Sequence, residues 1–446
     1  MKPITKVAAS TALALLLLVT AAAAQTVKFT DHKLKNGLRV ILSEDHSAPT
    51  YSISVTYNAG SRDERDGRTG FAHLFEHMMF QGSENVGKGE HFVLIENNGG
   101  GMNGSTTADR TEYHETLPAN QLDLGLFLEA DRMKSLAITQ ANLDNQRETV
   151  KEEKRQRHDN QPYGQTFDTL FETAYDNFAY KHSTIGSMDD LNAASTKDVT
   201  QFFKTYYAPN NAVLVLVGDF KSSDALAKVE KYFGSIPSQP APPVPDMSEP
   251  KQTAERRKTL EDPLAQLTRI DMGWKIPPGN TPDFFAMYVL GEILSTGQSS
   301  RFYQTLVRDK QVAVQEGAGP DERRGPSLFI VDLVVTPGKN PQEAEKLVYE
   351  ELEKVKSGGV TDDELQKVRM EVKRGKVEQL EGTLFRAEQL GVNAVFYGDP
   401  NVINTGNDKL MAVTKDQIQK AARTYLTDAN RTVLLTVPKT QAGGAK

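Results

Sequence analysis

The spacing of hydrophobic and polar positions changes several times along this chain. Val27–Leu42 and Tyr51–Ala59 alternate as half-buried strands do, with a turn at Asn36-Gly37 and a polar loop over Glu44–Pro49. Gly60–Thr69 is a charged loop. It leads into Gly70–Gly82, GFAHLFEHMMFQG, which has no Pro and no internal Gly and is rich in Leu, Met, Ala and Glu, and so predicts a helix. A second helix is expected over Gly89–Asn97 and is ended by the glycines Gly99–Gly101. Asn103–Pro118, rich in Thr, predicts extended structure. Gln121–Leu136 and Asn142–Arg157 are long helical patterns, and Ala212–Val217 is a continuous apolar strand ending at Gly218-Asp219.

Ser235–Pro250, SIPSQPAPPVPDMSEP, is too dense in proline for a helix or a central strand. We therefore expect a leader over 1–24, one unit over 25–234, a linker over 235–258 and a second unit over 259–446. The two units resemble each other. DLNAASTKD from Asp190 and DKLMAVTKD from Asp408 share T-K-D, and each runs on to an apolar strand, ending at Val217 and at Val437. Phe71–Gly82 parallels Phe285–Gly297, with His73 facing Met287, Glu76 facing Leu290 and His77 facing Gly291. The second copy keeps the helix and lacks the polar trio.

That trio carries the chemistry. His73, Glu76 and His77 are three and four residues apart, so on a helix they share one face. Two imidazoles suit a divalent zinc, and a carboxylate one helical step away can take a proton from an attacking water. The order H-x-x-E-H is the inverzincin signature. The flanking Phe71, Leu74, Phe75, Met78 and Met79 predict a buried helix, and burying two His and a Glu without partners is costly. A catalytic zinc needs a third protein ligand. In Asn142–Arg157, Leu143 and Val150 define the buried side; at about 100° per residue Glu153 lies about 60° from Val150, and Glu148 and Glu152 about 160° away. Glu153 is the acid able to look inward. Gln146, seven residues earlier on the same face, is expected to hydrogen-bond behind the ligands.

Composition narrows the field. The 446 residues are 38% hydrophobic and 25% charged with a formal net charge of -7, which suits a large soluble protein and gives no sign of nucleic-acid binding. There is no Cys, which excludes thiolate ligands, disulfides and thiol catalysis. Lys2 and Lys6, the apolar run Ala8–Val19 and the small residues Thr20–Ala24 read as a secretory signal cleaved before Gln25, hence export, to a bacterial periplasm, with no membrane span in the mature chain. No G-x-G-x-x-G or P-loop follows a strand, so a nucleotide-cofactor enzyme is not indicated.

His73–His77 with Glu153 far downstream resembles the pitrilysin/insulinase/mitochondrial processing peptidase family, in its short bacterial branch. GSRDE at Gly60, Thr106-Thr107 with Thr111 and Tyr113, TIGSMDDL at Thr184 and YYAPNNAVLVLVGD at Tyr206 are similar to stretches of that family. The resemblance implies an α+β fold of two similar units, each a mostly antiparallel sheet with flanking helices, closing as a clamshell around peptides or unfolded proteins. It implies one zinc ion on His73, His77 and Glu153, with Glu76 as general base. Substrate would add as a strand to an exposed edge, for which Asn103, Gly104 and Ser105 are the candidates, their small side chains allowing backbone approach. Two departures stand out. Gln146 replaces a frequent Glu. In LVRDKQVAVQEG, Arg308 is present but Val314 stands where a carbonyl-holding Tyr is expected. An intact zinc site without that Arg/Tyr pair resembles the zinc-bearing subunit of a heterodimer, whose paralogous partner lacks zinc and supplies the pair. A self-sufficient homodimer and a non-catalytic zinc-binding scaffold are the alternatives.

Overall fold

The computed structural model describes residues 26–439; the leader expected over 1–24 lies outside them. The chain runs β1 (Thr30–Lys33), β2 (Arg39–Glu44), β3 (Thr50–Tyr57), α1 (Phe71–Met78), α2 (Glu90–Asn97), β4 (Gly101–Thr106), β5 (Thr111–Pro118), α3 (Leu122–Lys134), α4 (Gln140–Lys154) and α5 (Thr166–Ala174). The short α6 (Phe178–Lys181) and α7 (Met188–Asn192) precede α8 (Thr196–Tyr206), β6 (Ala212–Gly218) and α9 (Ser222–Phe233). After a stretch without helix or strand come β7 (Arg256–Asp262), β8 (Arg269–Ile276), α10 (Pro282–Ser295), β9 (Ala313–Asp321), β10 (Ser327–Val335) and α11 (Pro341–Gly358). Then follow α12 (Asp362–Leu380), α13 (Thr383–Tyr397), α14 (Val402–Ala412), α15 (Lys415–Tyr425) and β11 (Arg431–Pro438).

Two sheets result, ordered β1-β2-β6-β3-β5-β4 and β7-β11-β8-β10-β9. Apart from β1, which has no counterpart in the second sheet among the described residues, their pairings correspond strand for strand. β2 and β6 run parallel, as do β7 and β11; β3 lies antiparallel between β6 and β5, as β8 lies between β11 and β10. β4 and β9 are the matching antiparallel edges. A shared order and polarity is what the repeated sequence pattern predicts, in an α+β architecture of mostly antiparallel sheets.

The strands read as they do because of what covers each face. In β6, Leu214 and Leu216 enter a core with α1, while Val213, Val215 and Val217 pack with Ala387, Leu390 and Ala394 of α13. Both faces are buried, so the run is apolar throughout. In β3, Tyr51, Ile53, Val55 and Tyr57 face the α1 side, and the alternate Ser52, Ser54 and Thr56 are small. That lets α13 approach closely: a Cβ at Gly391 would lie 2.6 Å from Thr56 Oγ1, and Ser52 Oγ and Thr383 Oγ1 are 2.9 Å apart.

α13 belongs to the second half of the chain and covers the first sheet. α5 belongs to the first half and covers the second, with Thr166 Oγ1 3.1 Å from Thr436 Oγ1 and Leu170 beside Gly273. The halves thus exchange one helix each. A division at the linker alone does not foresee this, because an amphipathic pattern states which residues are buried and not which sheet buries them. The linker itself is pinned: Glu249 accepts from Asn177 N at 2.7 Å and Lys275 Nζ at 2.6 Å.

The exchanged α13 is tied to β5 through charge. Burial opposes a proton on His114, yet the Glu112 and Glu388 carboxylates outweigh it and raise its pKa to about 10. The contribution to stability is therefore complete below about pH 6.5 and lost as pH rises toward 10. Unfolding free energy should fall between pH 7 and pH 10 in the wild type and fall less in His114→Gln, measured by denaturant titration. Gly391→Ala should lower stability by about 1–3 kcal/mol, because the added methyl drives α13 from β3.

Candidate metal centre

α1 starts from Gly70 in the left-handed region, φ +82°, where an added Cβ would sit 2.5 Å from Ile185 O. No residue at its start caps it through a side chain. A distant acid does so instead: Glu64, fully enclosed, accepts from Gly70 N at 2.9 Å and from Ala72 N at 2.7 Å, at the positive end of the helix. His182 donates to Glu64 at 3.0 Å through Nε2 and to Phe178 O at 2.7 Å through Nδ1. Asp190 accepts from Thr69 N at 3.0 Å. Phe71, Ala72, Leu74, Phe75 and Met78 then sink into the first core, and His73, Glu76 and His77 come out toward α4.

On α4, Leu143 and Val150 are fully buried, and Glu148 and Glu152 face solvent, paired with Lys151 and Arg155 respectively. Glu153 turns to the histidines. Its Oε2 is 3.1 Å from His77 Nε2 and 3.7 Å from His73 Nε2, and the three ligand-type atoms lie within 4.8 Å of one another. The imidazoles meet edge to face with centroids 4.8 Å apart. The other carboxylate oxygen is 2.6 Å from Arg157 Nη1. Beyond α4 a single wide π turn, Arg155–Asp159, swings Arg157 and His158 round the cluster.

Burial, with help from His77, pushes His73 down to about 4, and the His77 bond outweighs burial to hold Glu153 down to about 2. At neutral pH the first is uncharged and the second ionised, the forms a metal binds. His73 Nδ1 is buried without any hydrogen-bond partner. A neutral His73 that keeps its proton there aims its Nε2 lone pair at a carboxylate, which a divalent cation between them would relieve. Two imidazoles and one carboxylate with a fourth position open fit zinc. Among the described residues two other His/Glu groups carry their own cation: Arg132 pairs with Glu129 in one, and His114 holds a proton in the other.

Glu76 is buried beside the cluster, and burial raises its pKa. Thr106 Oγ1 donates to its Oε2 at 2.5 Å and opposes that rise. Gly104 leaves room for it, since a Cβ there would lie 3.2 Å from Glu76 Cγ. Asn103, Gly104 and Ser105 lie on β4, the edge of the first sheet. Asn103 Oδ1 accepts from Gly104 N at 2.9 Å, and Ser105 O from Arg110 Nη1 at 2.8 Å.

The structure differs at two expected residues. Gln146 is buried on the right face of α4, but its amide donates to Asn145 Oδ1 at 2.9 Å and not to a histidine or Glu153. Arg308 is 57% exposed and pairs with Asp309 at 2.7 Å; Val314 is 52% exposed on the edge strand β9. Glu64 and Thr106 lie in stretches similar to the family, but the sequence assigned them no role, although period-two alternation from Gly104 puts Thr106 on the side of Glu76. Arg323 gave no signal. From the β9–β10 turn it reaches a cavity of about 270 Å³ that His73, Glu153, Arg157, His158 and Phe171 also line.

Residues 39–188 match the family model described as insulinase (peptidase family M16), and 193–372 the one described as peptidase M16 inactive domain. The chain is similar to zinc protease PqqE of Helicobacter pylori, 32% identical over 353 residues that cover 78% of this chain and 80% of that one. It is 23% identical over 415 residues to mitochondrial-processing peptidase subunit beta of Lentinula edodes, covering 89% and 87%. The crystal structure of a protease from Helicobacter pylori superposes with a TM-score of 0.88 at 30% identity, covering 92% of this chain and 100% of that chain.

Glu64→Ala should lower stability by about 1–3 kcal/mol in chemical unfolding, because it leaves the first N–H groups of α1 and the His182 Nε2 without their acceptor.

Proposed function

The chain belongs to the insulinase family, peptidase family M16, and we propose that it is a zinc-dependent endopeptidase acting on peptides or unfolded polypeptides. The observation that carries this reading is the convergence of His73, His77 and Glu153 with Glu76 one helical step away and held by Thr106. His73, His77 and Glu153 would hold a single zinc ion. When bound, the ion supplies Lewis acidity that polarises a peptide carbonyl and makes water more acidic.

The remaining chemistry falls to the chain's own groups. Glu76 accepts the proton of the attacking water at a carboxylate oxygen and returns it to the leaving amine nitrogen. Thr106 donates to that carboxylate, which favours its ionised form and orients it. Arg157 fixes the second oxygen of Glu153, so that Oε2 stays turned to the imidazoles. The scissile segment would extend along β4, whose outer side has no strand partner among the described residues. A scaffold that only binds zinc needs no proton acceptor, and the placement of Glu76 speaks against that alternative.

Arg308 and Val314 support a reading as the catalytic subunit of a heterodimer whose paralogous partner brings the carbonyl-holding pair. On the same basis we take 25–234 and 259–446 as the two units, joined by 235–258, closing with the partner as a clamshell. The leader read in the sequence supports export to a bacterial periplasm, and no helix among the described residues is long and apolar enough to cross a membrane.

The test is hydrolysis of a quenched, unstructured peptide by the zinc-loaded chain starting at Gln25. Glu76→Gln should keep its zinc and lose roughly 100-fold or more in rate. Undiminished hydrolysis by that variant would overturn the role of Glu76. Full activity of the chain alone would replace the heterodimer by a self-sufficient homodimer.

A further inference from the structure

We propose that Arg323, supplied by the second half of the chain, is the specificity residue of this site and binds a substrate carboxylate beside the scissile bond. The proposal rests on the peptidase reading above and adds the substrate class. Arg323 lines the same cavity as His73 and Glu153 and is mostly enclosed, with 14% of its side chain exposed. Its plane is fixed. Nε donates to Asp321 Oδ2 at 2.6 Å, and the guanidinium carbon lies 4.9 Å from the Phe171 ring centroid and 5.3 Å from that of Tyr180. The turn that bears it is fastened to the first half, since Arg324 N donates to Asp109 Oδ2 at 3.1 Å and Gly325 N to Tyr180 Oη at 2.8 Å. The guanidinium therefore cannot drift relative to α1.

What it lacks is a use for its two terminal nitrogens. Among the described residues neither Nη atom has a hydrogen-bond partner, because the side chain donates only through Nε. The other basic groups around the cavity are engaged. Arg157 is on Glu153 at 2.6 Å and largely in solvent, His182 is on Glu64 at 3.0 Å, and the His158 ring lies 3.6 Å from Asp168. A planar fork with free parallel donors, itself mostly enclosed, suits a carboxylate, which takes both N–H groups at once. About 270 Å³ accommodates one such side chain. An aspartate or glutamate side chain and a free C-terminus offer the same chemistry.

The experiment uses the zinc-loaded Glu76→Gln chain, which binds without turning over, and labelled neutral peptides in which one Glu, Gln or Lys is moved a position at a time. C-termini are either amidated or free, and affinity is read by fluorescence anisotropy. At one position Glu should bind roughly 10-fold more tightly than Gln, the scale of a charge-assisted pair. If the free terminus is the ligand, the gain instead follows the carboxylate in the unamidated set. Adding Arg323→Gln should bring the ratio to about one, Arg323→Lys should keep its sign with a smaller value, and Arg323→Glu should turn the preference to Lys. The reversal is a gain that misfolding cannot produce. Equal affinity for Glu and Gln at every position, an acid preference that survives Arg323→Gln, or no measurable binding would overturn the proposal. Hydrolysis by the wild type, run in parallel, keeps the two readings apart: cleavage without acid preference defeats only this one, and acid preference with cleavage that Glu76→Gln leaves undiminished defeats only the proposed role of Glu76.

Discussion

A carboxylate set 3.1 Å and 3.7 Å from two imidazole nitrogens, on a helix remote in sequence from theirs, is the contact around which this molecule is organised. Such a group is unfavourable unless every neighbour is fixed. The apolar side of α1 is sunk in the first core, its start is held by Glu64, and Leu143 and Val150 anchor α4 so that its phase turns Glu153 inward. Arg157 and Thr106 then orient the two carboxylates from behind. Three donors brought together with an orphaned imidazole nitrogen is a frame with a cation-shaped requirement at its centre.

Duplication explains the rest of the architecture. The two sheets share order and polarity, yet at the positions of His73, Glu76 and His77 the second copy has Met287, Leu290 and Gly291. Met287 and Leu290 are buried in the second core, and Gly291 lets α10 rest against β9. Freed of ligands, the second unit supports the first: it lends α13 to the outer face of the first sheet and takes α5 in return. Through the β9–β10 turn it also reaches the cavity at the metal centre.

Local physics was legible in the sequence. Alternation located β3, continuous burial located β6, and the absence of breakers located α1. Helical phase singled out Glu153 from three glutamates on α4. Contacts set by tertiary packing were not legible. Nothing in the amphipathic patterns of α5 and α13 states that each covers the other half's sheet. Gln146 has the expected phase but finds a nearer partner in Asn145, because a side-chain amide is satisfied by whichever acceptor is closest. Arg308 sits in an expected motif and faces solvent, whereas Arg323 had no motif and lines the cavity.

The measurement that bears most directly on this account is anomalous diffraction at the zinc edge from crystals of the metal-loaded chain. We predict one peak bonded to His73, His77 and Glu153 at about 2.0–2.2 Å, with Glu76 outside the coordination sphere. A peak at another His/Glu group, or one that takes Glu76 as a ligand in place of Glu153, would contradict it.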